Sequence, residues 1–94
     1  MIIYKVTNKV NGKCYIGQTV KSLNRRWKQH VNASKHPRFA FHHAINKYGS
    51  DNFIVEEITT CDSLVEMNRL ECYYTSLFRA RADEWGYVLK SGNG

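Results

Sequence analysis

Arg26 and His30 are the first residues whose types and spacing could do chemistry. They lie four residues apart in a segment with helical periodicity, so they share one flank of the predicted helix. That flank borders an apolar stripe of Leu23, Trp27 and Val31, and it should look along the surface of the predicted sheet. A guanidinium and an imidazole placed together can bind a phosphate oxygen. The structural alternative is an Arg26 with a packed stem and a satisfied, half-buried His30.

Glu71 is a carboxylate on an otherwise apolar helix face. The apolar residues of this face recur at helical spacing and are Leu64, Met67, Leu70, Tyr74, Leu77 and Phe78. Because burial of an unpaired carboxylate costs free energy, Glu71 needs a partner. One interpretation is a buried ion pair with Arg26. The other is a metal site at the floor of a cleft, since magnesium prefers carboxylate oxygen.

Tyr4 and Tyr15 lie in two predicted strands that an Asn-Gly turn at 11–12 joins into a hairpin. If Asn8 pairs with Lys13, the two tyrosines are diagonal neighbours on one face of the sheet. A tighter two-residue loop keeps them on that face but moves them apart. Two tyrosines on a strand pair often form part of the core, so the pattern leaves both a structural and a catalytic role open.

The elements that must position these side chains follow the order strand, strand, helix, helix, strand, helix. The predicted strands cover 2–7, 14–19 and about 52–60, and the predicted helices cover 23–34, 39–48 and about 63–79. This order predicts an α+β fold with a small three-stranded antiparallel sheet flanked by about three helices. We expect residues 1–90 to form one domain, and 91–94 to be a tail or the start of a linker.

Composition narrows the class of protein. The chain has 94 residues and a formal charge of +6, from 14 Lys and Arg against 8 Asp and Glu, which favours a polyanionic partner such as nucleic acid. Its three cysteines form no CxxC pair, which argues against a structural zinc and fits a reducing intracellular compartment. No apolar run is long enough to span a bilayer, so we expect no membrane association.

Taken together, these segments resemble the motifs of the GIY-YIG nuclease family across nearly the whole chain. The matching segments are Ile2-Ile3-Tyr4 with Cys14-Tyr15-Ile16-Gly17, Arg26 followed by His30, Asn46-Lys47-Tyr48-Gly49, Leu70-Glu71-Cys72-Tyr73-Tyr74, and Gly86-Tyr87. The segment at 46–49 is similar to the phage and homing endonuclease branch. Ile2 stands where the first motif has Gly, and Val88 stands where the terminal motif usually has Asn.

The resemblance implies a divalent-metal-dependent DNA endonuclease domain that hydrolyses phosphodiester bonds, as the cleavage module of a homing-type endonuclease. It implies that Glu71 holds Mg²⁺ or Mn²⁺ and that Arg26 binds the scissile phosphate. Tyr4 is then the general base and Tyr15 orients the water or the phosphate. His30 either holds Tyr4 or relays its proton.

A tyrosine base needs a lowered pKa, because an unperturbed phenol titrates near ~10. Neighbouring positive charge could lower it, and Lys5 and Lys13 are candidates for that charge. The expected partner is double-stranded DNA. We expect the domain to be monomeric by itself and compatible with fusion to a separate DNA-recognition region. The residues expected to contact DNA phosphates are Lys13, Arg25, Arg26 and Lys28.

Two other functions fit the same residues. The first is a nucleic-acid-binding domain of the same fold whose catalysis is weakened or lost at Val88. The second is a structural or protein-interaction domain in which the positive charge serves only solubility.

Overall fold

The computed structural model describes residues 1–78, and the elements in that range follow the predicted order. They are β1 (Ile2–Asn8), β2 (Cys14–Thr19), α1 (Leu23–Ala33), α2 (Ala40–Tyr48), a short 3₁₀ turn (Ser50–Asn52), β3 (Phe53–Thr60) and α3 (Leu64–Leu77). The predicted fold class is confirmed, and the predicted ends differ only slightly from these bounds. The terminal motif at 86–88 and the tail at 91–94 lie outside the described residues.

Local signals in the sequence explain where the helices begin and end. Ser22 caps α1 by accepting a hydrogen bond from the Arg25 backbone N–H, and Ser63 caps α3 in the same way through Glu66. Helix α2 ends at Tyr48 and is capped by Gly49, whose φ of 85° lies in the left-handed region that favours glycine. Across residues 1–78, none of the helices has the length and apolar character that crossing a membrane requires.

The sheet is antiparallel with the order β2-β1-β3, so β1 is central and β2 lies at an edge. The Asn8 N–H donates to the Lys13 carbonyl at 2.9 Å, which is the wider of the two hairpin pairings considered above. In this register Tyr4 lies opposite Gly17, with Tyr15 as its diagonal neighbour. The tyrosine ring centroids are 6.2 Å apart, so the two side chains are neighbours on one face.

Each face of the sheet carries its own small core, because successive side chains of a strand point to opposite faces. The core beneath α1 and α2 contains Tyr4, Val6, Phe41, Ala44, Ile45 and Phe53. The core beneath α3 contains Ile3, Cys14, Ile16 and Met67. The sheet is therefore enclosed between helices on both sides, and a residue must be assigned to one face before its role can be argued.

The predicted apolar face of α3 is wrong at its two ends. Leu64 is 59% exposed and Leu77 is 55% exposed. Leu64 points in nearly the same direction as the buried Glu71, two turns further on, so its exposure reflects its place in the first turn rather than the rotation of the helix. The buried residues of α3 are limited to Met67, Glu71 and Thr75, which lie between these two ends.

Gly17 supplies the space that the Tyr4 ring occupies. A Cβ atom at position 17 would lie 2.8 Å from Tyr15 Cε2 and closer still to the Cζ and hydroxyl of Tyr4. These contacts involve the ring and not a special backbone angle. Any larger residue at this position must therefore displace the tyrosine that faces it.

We predict that Gly17→Ala lowers the free energy of unfolding by about 1–3 kcal/mol, the usual cost of forcing extra atoms into a packed site. Urea denaturation measures it. In a Tyr4→Leu background, which removes the nearest ring atoms, most of this penalty should disappear. An equal penalty in both backgrounds would show that Tyr15 or the backbone at position 17, and not the Tyr4 ring, demands glycine.

Candidate active site

Three of the predicted site residues form one contiguous cluster on the α1–α2 face of the sheet. The Tyr4 hydroxyl of β1 is hydrogen bonded to His30 Nε2 of α1, with 2.7 Å between oxygen and nitrogen. The ring of Tyr15, from β2, lies edge-on to the His30 ring with 5.4 Å between centroids. The hairpin and the first helix thus bring together a hydroxyl pair and an imidazole that are distant in sequence.

Two residues of α2 complete this cluster, and neither was predicted from the sequence. His42 Nε2 lies 3.0 Å from His30 Nδ1, which makes His42 the second hydrogen-bond partner of the buried imidazole. Phe41 stacks flat on Tyr15, with 4.1 Å between ring centroids and an interplanar angle of 1°. The sequence shows only that His42 follows Phe41 on a predicted helix. That pattern does not predict which neighbouring element the His42 side chain contacts.

His30 is a neutral imidazole at ordinary pH. Burial, followed by the positive charge of Arg26 and the neighbouring His42, lowers the pKa of His30 to about 3. A neutral imidazole has one donor nitrogen and one acceptor nitrogen. The His30 ring can therefore accept a hydrogen bond from one of its two partners while it donates a hydrogen bond to the other.

Tyr4 does not have the lowered pKa that a free phenolate base would need. Burial and then the neighbouring Tyr15 raise the pKa of Tyr4, and the charge of Arg26 opposes this shift without overcoming it. Lys5, which the sequence offered as a source of positive charge, points to the opposite face and lies 4.1 Å from the Phe78 ring centroid. Tyr4 is consequently a neutral hydroxyl held against His30.

Arg26 lies close enough to this cluster to influence the pKa values of Tyr4, Tyr15 and His30. Its Nη1 donates to Gln29 Oε1 at 3.0 Å, while its Nε is buried without a hydrogen-bond partner among residues 1–78. A buried donor without an acceptor costs free energy in the free protein. The arrangement fits a site that an anionic group fills during function.

Glu71 approaches from the other face of the sheet, across the edge strand β2. It is only 6% exposed, and its carboxylate accepts a short hydrogen bond from Gln18 Nε2. The Gln18 amide also donates to Asn68 Oδ1 at 3.0 Å, so it is fixed between two residues of α3. Burial raises the pKa of Glu71, and the Gln18 hydrogen bond opposes that shift. Gln18 is a further site residue that the sequence analysis missed.

The ion pair between Glu71 and Arg26, considered above as a structural role for Glu71, is wrong. The described part of the chain contains no salt bridge between them, and the carboxylate is paired with an amide instead. The negative charge of Glu71 nevertheless reaches the cluster, because it adds to the effect of burial in raising the pKa of Tyr15. Glu71 thus acts electrostatically on Tyr15 from across β2, without an ion pair to Arg26.

The residues around Glu71 suit a hard, hydrated divalent cation. Within residues 1–78 there is no group of three or more His, Cys, Asp or Glu side chains that could enclose a metal ion. A single carboxylate is nevertheless enough for Mg²⁺, which usually keeps several of its waters. One helical turn beyond Glu71, the buried Thr75 hydroxyl lacks a hydrogen-bond partner in the described structure, so it is available to an additional polar group.

The other candidate phosphate contacts lie at the periphery. Arg25 and Lys28 are on the exposed side of α1, and Lys13 is half-buried at the end of the hairpin. The structure therefore separates Arg26, which faces the cluster, from its two basic helix neighbours, which face solvent. Contact of these three residues with DNA stays a prediction.

Comparison with known proteins gives matches in sequence and in fold. The family model of the GIY-YIG catalytic domain matches residues 1–87. The catalytic domain of the homing endonuclease I-TevI has a TM-score of 0.74 at 18% identity, over 89% of this chain and 94% of that domain. A mutant of the same intron endonuclease domain has a TM-score of 0.73 at 23% identity, over 90% of this chain and 88% of its own length.

Relatives among curated proteins include two from Invertebrate iridescent virus 6. A putative MSV199 domain-containing protein, 146R, is 35% identical over 72 residues, which are 73% of this chain and 29% of that protein. The protein 019R is 26% identical over 92 residues, which are 97% of this chain and 29% of that protein. The chain therefore spans less than a third of the length of these relatives.

We predict that acid destabilises the fold through His30. The unfolded imidazole titrates near 6.5 and the folded one at about 3, so the unfolded chain binds more protons between these values. The stability that the neutral ring contributes is complete above pH 6.5 and is lost as the pH falls toward 3. Melting temperatures of the wild type and His30→Gln, measured from neutral pH down to about pH 4, should converge in acid.

The raised pKa of Glu71 acts in the opposite direction, since its protonation in acid favours the folded state. It is present in both proteins, so the difference between them isolates His30. Parallel melting curves across the whole pH range would contradict a neutral buried His30.

Proposed function

The chain belongs to the GIY-YIG nuclease family, and from this membership we propose that it is a divalent-metal-dependent endonuclease domain acting on double-stranded DNA. The observation that carries the proposal is the buried Nε of Arg26, which has no hydrogen-bond partner among residues 1–78 and lies beside the hydrogen-bonded Tyr4 and His30. An anion is the natural complement of such a donor, and a phosphodiester is the anion that DNA presents.

Binding of the scissile phosphate is assigned to Arg26. As the attacking oxygen approaches phosphorus, negative charge builds on the non-bridging oxygens, and a fixed guanidinium in a partly dry site stabilises that charge. Tyr15, whose ring stacks on Phe41, is assigned to orient the phosphate or the attacking water through its hydroxyl. These residues lie on rigid elements, so the substrate meets groups that are already in place.

Activation of water is assigned to the pair of Tyr4 and His30. Tyr4 takes a proton from the attacking water while its own proton passes to His30. The Tyr4 hydroxyl oxygen and His30 Nε2 are 2.7 Å apart. Because the two transfers accompany each other, Tyr4 never needs to exist as a free phenolate. The raised pKa of its hydroxyl is therefore compatible with a role as general base.

Metal binding is assigned to Glu71. It would hold Mg²⁺ or Mn²⁺, which when bound supplies Lewis-acid stabilisation of the phosphate and of the leaving 3′ oxygen. The Gln18 amide fixes the direction of the carboxylate and, by its hydrogen bond, favours the ionised form that a metal requires.

We further propose that the chain is a cleavage module of the homing type, monomeric by itself, that works inside a cell or the host cell of a virus. The likeness to the I-TevI catalytic domain and the greater length of the viral relatives support this setting. Sequence would then be read by a separate region, because phosphate contacts position a protein on DNA without specifying bases. Binding by this module alone would weaken steeply as salt rises.

Glu71→Gln should lower cleavage by at least about 100-fold, because it removes the charge that holds the metal while keeping nearly the same shape. Nicking of supercoiled plasmid, with and without Mg²⁺, measures this loss. Glu66→Gln is the matched control on the same helix, since Glu66 pairs with Arg69 at the surface. This variant should cleave like the wild type. Wild-type cleavage in excess chelator would overturn the metal dependence, and full activity of Glu71→Gln would overturn the assignment of the metal to Glu71.

Arg26→Ala should lower the cleavage rate by about 100-fold or more, the scale expected when a donor to transition-state charge is removed. Arg25→Ala removes the same charge from the exposed side of the same helix and should change the rate only slightly. Single-turnover rates at saturating Mg²⁺ compare the two. Equal losses would mean that total charge and not the position of Arg26 governs the reaction.

A further inference from the structure

A continuous hydrogen-bonded row runs from the floor of the site to α2. Tyr4 and His30 are joined at 2.7 Å through Nε2, and His30 and His42 are joined at 3.0 Å through the opposite ring nitrogen, Nδ1. Tyr4 is fully buried and His30 is 4% exposed, whereas His42 is only half-buried. The row therefore leads from the most enclosed hydroxyl of the cluster to a ring that borders solvent.

We propose that His42 is the terminal acceptor of a proton relay from Tyr4 through His30. The inference rests on the proposed endonuclease function and adds a residue to it. His42 touches neither the phosphate nor the water, so it acts on the reaction through His30.

In the relay, protons move along the row from Tyr4 to His42 while the water attacks phosphorus. In the resting state the Tyr4 hydroxyl donates to His30 Nε2, and His30 Nδ1–H donates to His42 Nε2. The attacking water forms its bond to phosphorus and gives a proton to Tyr4, Tyr4 gives its proton to Nε2, and the Nδ1 proton moves to His42. The bond from phosphorus to the 3′ oxygen breaks, and that oxygen leaves with the electron pair and takes a proton from solvent. His42 then gives its extra proton to solvent, and the two imidazoles return to their starting tautomers by proton exchange with solvent before the next turnover.

The relay solves a physical difficulty at His30. A relay that ended at His30 would leave an imidazolium in a buried position beside Arg26, where the protonated ring is strongly disfavoured. When the second proton moves on, His30 only exchanges one neutral tautomer for the other. The positive charge forms on the half-buried His42 instead, where water can solvate it.

The charges around His42 favour the release of that proton. Arg26 and His30 of α1 and His43 of its own helix are the titratable or charged groups that act on it. After burial, Arg26 and then His43 lower the pKa of His42, so its protonated form gives the proton up to solvent. The rings of Phe39 and Phe41 flank it and carry no charge. His42 is thus a transient carrier that resets after each turnover.

His42→Gln separates a relay from a structural role. The Gln amide oxygen can stand close to the position of Nε2 and accept from His30 Nδ1–H, but an amide does not take up a proton. We expect the single-turnover cleavage rate at saturating Mg²⁺ to fall about 100-fold or more, as for the loss of an acid–base group. His42→Phe should fall at least as far. His43→Gln, at the exposed neighbour on the same helix, keeps the hydrogen-bonded row intact and should lower the rate far less than His42→Gln.

A wild-type rate for His42→Gln together with a slow His42→Phe would overturn the relay, because the hydrogen bond alone would then suffice. Wild-type rates for both would also overturn it. Melting temperatures of each variant show whether a loss of rate comes from unfolding.

Nitrogen-15 spectra of the labelled imidazoles test the resting state without DNA or metal. The relay requires the Nδ1–H tautomer of His30 in the wild type and in His42→Gln, and the opposite tautomer in the wild type would overturn it. This result does not depend on cleavage. A wild-type chain with this tautomer that never cut DNA would overturn the proposed endonuclease function, and with it the relay, while the assigned hydrogen-bond directions would hold.

Discussion

The buried hydrogen bond between Tyr4 and His30 is the contact on which the candidate site depends. It joins the central strand to the first helix, and both partners are almost completely withdrawn from water. The ring of Tyr4 reaches this position only because Gly17, directly opposite on the edge strand, has no side chain. The stacking of Phe41 on Tyr15 closes the same cluster from α2. Packing and chemistry therefore use the same atoms, so a change to one alters the other.

Burial determines the charge state of this cluster more than any neighbouring charge does. It raises the pKa of Tyr4 and lowers the pKa of His30, so both groups are neutral over the ordinary pH range. Arg26 remains as a cation beside them, with a donor nitrogen that lacks a partner in the described structure. A neutral hydroxyl and imidazole can pass protons between them without creating isolated charges. The fixed guanidinium of Arg26 beside them can stabilise the negative charge of the phosphate, which is present only when substrate is bound.

The edge strand β2 explains how a carboxylate from the opposite face can serve the same site. Tyr15 and Gln18 lie on different faces of this strand, since their positions differ by an odd number of residues. Tyr15 belongs to the cluster beneath α1 and α2, and Gln18 holds Glu71 of α3. At an edge, the two faces lie within electrostatic reach, as the effect of Glu71 on the pKa of Tyr15 shows. The central strand β1 has a neighbouring strand along each of its edges, so it offers no open edge across which the two faces could act on each other in this way.

The sequence by itself predicted the elements, the helix cap at Ser22 and five candidate site residues, whose catalytic roles stay predictions. Periodicity, turn dipeptides and capping serines are local signals, and the short family motifs fix residue types at set spacings. The tertiary structure alone decided the partners of those residues. His42 faces His30, Gln18 holds Glu71, and Glu71 makes no ion pair with Arg26 among the described residues. Each of these contacts joins two elements, and its partner is set by how the helices lie on the sheet. The periodicity of one helix predicts the direction in which each side chain leaves the helix axis. It does not predict how the neighbouring helix or strand is rotated and placed, and that placement decides which side chain is met.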